Sequence, residues 1–204
     1  MRYYFIRHGE NPANIERILS YKVVDLSLTE RGISQATTVA GWLSDKNIAH
    51  IYSSPLIRAR ETADIISRNL NLDVRLIEEL REVNVGIYDG RNDQEAWDIH
   101  NKMWGSWFQG DYTAFMEGGE DGHSLINRLR LSLNKIEQDV AHDSPNVVVV
   151  GHGGMFFFGL ANLCSNLGLE AVMSRHLVNT AVCVIEKRQD GYHCLDWGIN
   201  LNAV

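Results

Sequence analysis

The chain has 204 residues, 45% of them hydrophobic, with 19 Lys and Arg against 26 Asp and Glu for a net charge of −7. That length and apolar fraction suit one domain of moderate size with its own core. The acidic balance argues against nucleic acid or an anionic membrane as the main partner, because both select basic patches, so any anion site has to be a local concentration of positive groups.

In chain order, the first residues Met1 to Arg7 are too few and too soon charged for a secretory signal. No apolar run approaches the ~20 residues of a membrane helix, and the expected location is cytoplasmic. Tyr3 to Ile6 reads as a buried strand that ends at Arg7-His8-Gly9. Thr29 opens a helix in which Ile33, Ala36, Ala40 and Leu43 share one face. Ile51 and Tyr52 begin a second strand. Ser54-Pro55 then reads as an N-cap followed by proline at the first helical position, with the helix running to about Asn69.

Residues 92–122 show no strand and gather Trp97, Trp104, Trp107, Phe108, Tyr112 and Phe115. Ser124 to Val140 is a long helix with Leu125, Leu129, Leu133, Ile136 and Val140 on one face. Val147 to Val150 is a β-branched strand ending at Gly151-His152-Gly153-Gly154, followed by a helix from about Met155 to Asn166. Val182 to Glu186 and Tyr192 to Trp197 form a hairpin around Asp190-Gly191. The expected fold is α/β, a mainly parallel sheet flanked by helices on both faces with a helical cap insertion. Residues 1–204 are read as one domain, with the cap-like insertion around 92–122. Cys164, Cys183 and Cys194, odd in number and widely spaced, read as reduced thiols.

Chemistry concentrates at strand ends. His8 and His152 each follow a buried strand and precede glycine, and ligands of open α/β sheets bind at the carboxyl ends of strands. Arg7 adjoins the first histidine. Arg58 lies in the first turn of a helix at the same sheet edge, where anions are favoured, and a planar guanidinium suits a phosphoryl group.

These residues sit in blocks that resemble the histidine phosphatase (phosphoglycerate mutase-like) superfamily. The blocks are Arg7-His8-Gly9-Glu10 with Asn14, Leu28 to Ala36, Ser53 to Ala63, Leu80-Arg81-Glu82 with Gly86 and Gly90, Gly118-Gly119-Glu120, and Val150 to Gly154. The resemblance implies that His8 is the nucleophile and that Arg7, Arg58 and His152 hold the phosphate. Asn14 and the Gly153 amide would assist them, and Glu82 would protonate the leaving group. Phosphoryl transfer asks for such a set: an in-line nucleophile, positive groups around three equatorial oxygens, and an acid for the departing alkoxide. Where the family often has Thr or Ser, this chain has Asn11, a replacement expected to alter substrate contacts. Where it often has Ser, this chain has Asp121.

The partner implied is a small phosphorylated substrate, with no nucleic acid, no membrane and no cofactor; a homodimer stays open. No metal site is expected, because His50, His100, His123, His142, His176 and His193 are scattered without ligand spacing. Phosphoglycerate mutase is the main alternative activity. Against it, residues 91–120 carry six acidic side chains and two basic ones, a net −4 that should repel a doubly anionic substrate. A non-catalytic phospho-ligand-binding protein is the third reading, opposed by the complete catalytic set. The aromatics of the insertion admit two roles, a packed core and contact with an apolar leaving group.

Overall fold

The computed structural model describes residues 1–140 and 146–202, so His142 lies outside the described residues. Six strands form one sheet: β1 (Arg2–Arg7), β2 (Ile48–Ser53), β3 (Val74–Leu76), β4 (Asn146–Gly151), β5 (Val182–Arg188) and β6 (Gly191–Ile199). Their spatial order is β3-β2-β4-β1-β5-β6. β3, β2, β4 and β1 run parallel, and β5 and β6 continue the sheet antiparallel. The helices are α1 (Pro12–Ile15), α2 (Glu30–Leu43), α3 (Ile57–Leu70), α4 (Gln94–Phe108), α5 (Gly122–Asp139), α6 (Gly153–Leu163) and α7 (Leu169–Met173). Among the described residues no helix is long and apolar enough to cross a membrane.

The central strands are covered on both sides, which is why β1 and β4 read as unbroken apolar runs. Alternation then divides each strand between two cores. Tyr4, Ile6, Val148 and Val150 face Val39, Leu43, Ala59 and Ile66 of α2 and α3. Tyr3, Phe5, Val147 and Val149 face Leu125, Leu129, Phe156 and Phe158 of α5 and α6. Cys164 and Cys183 are buried, and burial pushes both thiols up to about 12, so they behave as inert hydrophobes.

Helix starts follow their caps. Thr29 Oγ1 accepts from the Gly32 amide at 3.0 Å, Asp93 from Ala96 at 3.2 Å and Asp121 from Ser124 at 2.7 Å. Four expectations need correction. Ile33 is 49% exposed, and Val39 occupies the buried face of α2 with Ala36, Ala40 and Leu43. β2 begins at Ile48 and ends just after Ile51 and Tyr52. α3 starts at Ile57 with no side-chain cap from its own neighbours. Instead Asp25 accepts from the Ile57 amide at 2.9 Å, and Ser54 Oγ bonds His152 at 2.8 Å. α6 begins at Gly153 and ends at Leu163.

Topology fixes the position of the site. Arg7 pairs with Gly151 across β1 and β4, and Ser53 pairs with Val150 across β2 and β4, so three strand ends lie level. The chain leaving β1 passes through α1 and a loop to α2 on one face of the sheet, while the chain leaving β4 enters α6 on the other. A crevice opens where neighbouring connections diverge in this way.

Candidate active site

His8, Ser54 and His152 each stand one residue beyond a level strand end. The His8 amide donates to Gly151 O and the Ser54 amide to Val150 O, both at 2.9 Å. His8 and His152 are buried, with ring centroids 5.3 Å apart. Gly9 O lies 2.7 Å from His8 Nδ1. A carbonyl only accepts, so Nδ1 carries the proton and Nε2 keeps its lone pair. Arg58 Nε–H points at that lone pair from 3.2 Å. Arg58 is held in turn by Ser20 O at 2.9 Å and by Asp25.

Arg7 donates to Leu177 O at 2.7 Å, while its Nε is buried without a partner. It crosses the first turn of α6, where a Cβ on Gly153 would come within 3.2 Å of Arg7 Nε. Burial pulls both guanidinium pKa values down from their ordinary range, Glu82 opposing in each case. His8 is driven well below 6.5 by burial, then by Arg58 and Arg7. His152 moves the same way, by burial and then by Arg58. The result is a neutral nucleophilic nitrogen beside two crowded cations, an arrangement completed by a tetrahedral dianion.

Glu82 approaches the same point from the loop after the 3-10 turn Glu78–Leu80. Its carboxylate accepts from the amides of Val83 and Met155 at 2.9 Å and of Gly154 at 3.1 Å. A Cβ on Gly154 would lie 2.8 Å from Glu82 Oε1, so only glycine admits this approach. Asn14 Oδ1 accepts from the Asn11 amide at 3.2 Å and from Asn179 Nδ2 at 2.9 Å, which leaves the Asn14 NH2 group to donate. Asn11 caps α1 through the Asn14 amide and is fully buried. Its first task is thus to hold Asn14, beyond the altered substrate contact expected of it.

All seven sequence-predicted residues, His8, Arg7, Arg58, Glu82, His152, Asn14 and Gly153, gather at one place. Six of them line a cleft of about 500 Å3, and His152 packs beside the His8 ring with its Nδ1 buried and unpartnered. The cleft continues outward past Trp97, Trp104 and Phe108 of α4, Phe157 of α6, and His100 and His176. Trp107 is instead fully buried, 4.6 Å from the Phe158 ring. Trp107 thus belongs to the packed core, while Trp97, Trp104 and Phe108 line the cleft.

Several contributors have no local signature. Asn179 donates to His8 O at 3.1 Å as well as to Asn14. Arg128 of α5 donates to the carbonyls of Arg81 and Glu82 at 2.8 and 3.2 Å and pairs with Glu120 at 2.7 Å. Asp89 gathers the amides of Tyr21, Lys22 and Val23 at 2.7–2.9 Å, which orders the loop that holds Arg58. For His100 a signal existed: it falls between Trp97 and Trp104 on one helical face.

The family description "Histidine phosphatase superfamily (branch 1)" matches residues 3–200. A Proteus mirabilis protein named "Probable phosphoglycerate mutase GpmB" is 32% identical over 184 residues, covering 87% of this chain and 80% of its own. Among solved structures, Bacillus stearothermophilus YhfR superposes with a TM-score of 0.84 at 25% identity, over 98% of this chain and 99% of that one. Phosphoserine phosphatase of Entamoeba histolytica in complex with 3-phosphoglyceric acid gives 0.78 at 26% identity, over 97% and 96% of the two chains. A mutant of that enzyme has been solved with phosphoserine.

Proposed function

This chain belongs to the histidine phosphatase superfamily, and from that membership we propose that it is a phosphomonoester hydrolase acting through a phosphohistidine on His8. The observation that carries this reading is the His8 tautomer: Nδ1–H is fixed on Gly9 O, and the Nε2 lone pair is buried beside Arg58.

The steps follow from these groups. His8 Nε2 attacks phosphorus in line as the ester oxygen departs. Arg7, Arg58, His152, the Asn14 NH2 group and the Gly153 amide hold the equatorial oxygens. Glu82, in its acid form, gives its proton to the leaving oxygen. The carboxylate so formed then takes a proton from water as that water attacks the phosphohistidine, which releases inorganic phosphate and restores neutral His8. Positive charge comes from the arginines, so activity should survive EDTA; loss on chelation with recovery on adding Mg²⁺ or Zn²⁺ would contradict the scheme.

Hydrolysis is favoured over phosphoglycerate mutase activity by the walls of the cleft. Among the described residues no Lys or Arg besides Arg7 and Arg58 lines it, so a second anionic group finds no further guanidinium or ammonium in that lining. The charge argument made from residues 91–120 does not carry over. None of their six acids lines the cleft, and Asp93, Glu95 and Glu120 are paired with Arg91 or Arg128. The test is phosphate release across a panel of monoesters, with His8→Ala as control. Turnover should vanish in that variant, and acid-labile label from a 32P-ester should appear on His8 of the native chain. Full activity in the variant, or efficient interconversion of 3- and 2-phosphoglycerate primed by the bisphosphate, would overturn the proposal.

A further inference from the structure

Glu82 is presented to the cleft by backbone with no regular structure of its own. Residues 81–85 lie in no helix or strand, so their peptide groups need partners from elsewhere. Arg128 on α5 supplies several of them. Its Nη1 donates to Glu79 O at 2.5 Å and to Arg81 O at 2.8 Å, and its Nη2 donates to Glu82 O at 3.2 Å. Nε and Nη2 also donate to the Glu120 carboxylate, at 3.1 and 2.7 Å. All five N–H donors of the guanidinium are thereby spent, three of them on the stretch that leads to and carries Glu82.

Glu120 closes the grip from beyond Glu82. The Oε1 that pairs with Arg128 also accepts from the Asn84 amide at 2.8 Å, and the Glu120 amide donates to Asn84 O at 3.0 Å. A Cβ on Gly119 would lie 2.5 Å from Asn84 O, so glycine is what lets the two backbones meet. The pair is largely shielded from water, with 21% of the Arg128 side chain and 12% of the Glu120 side chain exposed. A bidentate pair of this kind fixes direction as well as distance. Neither residue lines the cleft, so any effect on the reaction passes through Glu82.

We infer that Arg128 and Glu120 are positioning residues for the general acid: they fix the backbone behind Glu82 so that its carboxyl meets the leaving oxygen. The inference rests on the hydrolase reading and adds to it two residues that stand outside the cleft. The head of the Glu82 side chain is tied separately, by the amides of Val83, Gly154 and Met155. Those bonds set where the carboxylate points, and the Arg128 grip sets where the side chain starts from. The phosphate-holding groups stand on other elements, Arg7 at the end of β1, Arg58 in α3, and His152 and Gly153 at the start of α6. Loss of the grip therefore falls on proton donation and spares phosphate binding.

The experiment measures single-turnover release of the leaving group, with enzyme in excess, from an alkyl phosphate and from p-nitrophenyl phosphate, together with Ki for inorganic phosphate. The proteins are the native chain, Arg128→Met, Arg128→Lys, Glu82→Gln and the double variant Glu82→Gln, Arg128→Met. Arg128→Met keeps an unbranched stem and no donor. It should slow release from the alkyl ester roughly 10- to 100-fold, the scale of a misplaced group. With p-nitrophenyl phosphate, whose leaving group departs without a proton, the loss should be only about two- to threefold. Ki for phosphate should stay within about twofold of native, because the groups that hold it are untouched. Arg128→Lys, which has three donors and no planar fork, should show the same selective loss in smaller measure. The ratio of the two rates cancels any general loss of activity, and Arg128→Lys carries the same test where Arg128→Met is unstable. Without Glu82, Arg128→Met should no longer discriminate between the esters, since the acid it served is gone. Equal slowing of both esters by the Arg128 variants, or an alkyl-selective loss that persists in the Glu82→Gln background, would overturn the inference and leave the hydrolase intact. Release from neither ester by the native chain would remove the hydrolase reading and this inference together.

Discussion

Glu82 is given two opposite tasks, and its surroundings set how they can be told apart. Its carboxylate is held by three amides, two of them in the first turn of α6, which fixes it in the cleft that Arg7, His8 and Arg58 also line. A proton donor matters most when the departing oxygen is a poor leaving group and much less for a nitrophenolate. Arg58 stabilises charge on the phosphoryl group whatever leaves. Glu82→Gln should therefore slow the pre-steady-state burst by roughly 10²-fold or more with an alkyl phosphate, but only a few-fold with p-nitrophenyl phosphate. Arg58→Ala should slow both by comparable factors, on the order of 10². The burst isolates phosphorylation from the later attack of water. Equal losses for both esters in Glu82→Gln would mean that Glu82 activates water or only caps α6, and that the leaving oxygen draws its proton from solvent, because neither Glu10 nor Glu120 lines the cleft.

At the scale of elements, the site depends on segments brought together from far apart. Asp89 ties down the amides of residues 21–23, that loop offers Ser20 O and Asp25 to Arg58, and Arg58 faces His8. Asp89→Ala should loosen this chain of contacts and raise Ki for inorganic phosphate roughly tenfold, since small misplacements of a clamp are costly. A Ki unchanged from the native value would show that the order of this loop does not reach Arg58. The same distances explain what the sequence made legible. β1, β4 and the helix opened by Thr29 announce themselves because burial on both faces and a local cap leave a pattern within a few residues. Arg7, His8 and His152 were legible because each stands next to such a pattern, whereas Glu82 and Asn14 were reached only through the family resemblance. The start of α3 was misread because its cap, Asp25, lies 32 residues away, while Ser54 serves His152. Asp89, Arg128 and Asn179 reach the site through partners 46–171 residues distant, which no local pattern encodes. In α4 two stripes run one residue apart. Ala96, Met103 and Trp107 enter the core, while Trp97, His100, Trp104 and Phe108 face the cleft, and a single apolar period merges them.

For the molecule as a whole, the site makes stability depend on pH in a predictable direction. His8 and His152 are buried side by side next to Arg7 and Arg58, and burial followed by the Arg58 charge holds both imidazole pKa values well below 6.5. His100 is lowered as well, by burial. Above pH ~6.5 the folded and unfolded chains both keep these rings neutral. Below it the unfolded chain takes up protons that the folded chain refuses until its own lower pKa is reached. The unfolded state then binds more protons, so the unfolding free energy falls as pH falls through that window. Each such ring contributes a slope of at most about 1.4 kcal/mol per pH unit, and His8 with His152 up to roughly 2.7. Asp121, bonded to Ser124, has its carboxyl pKa below the ordinary 3.8 and so loses its contribution only at more acidic pH. Urea unfolding between pH 5.5 and 7.5 should therefore show stability level at the upper end and a decline of roughly 2–3 kcal/mol per unit below pH 6.5. In the double variant His8→Asn, His152→Asn the decline should shrink by more than half, whatever the variant's absolute stability. A native chain with no slope in that window, or a double variant with the native slope, would mean that the two imidazoles are not held neutral by the fold. The neutral nucleophile on which the phosphohistidine scheme depends would then have to be created by the substrate.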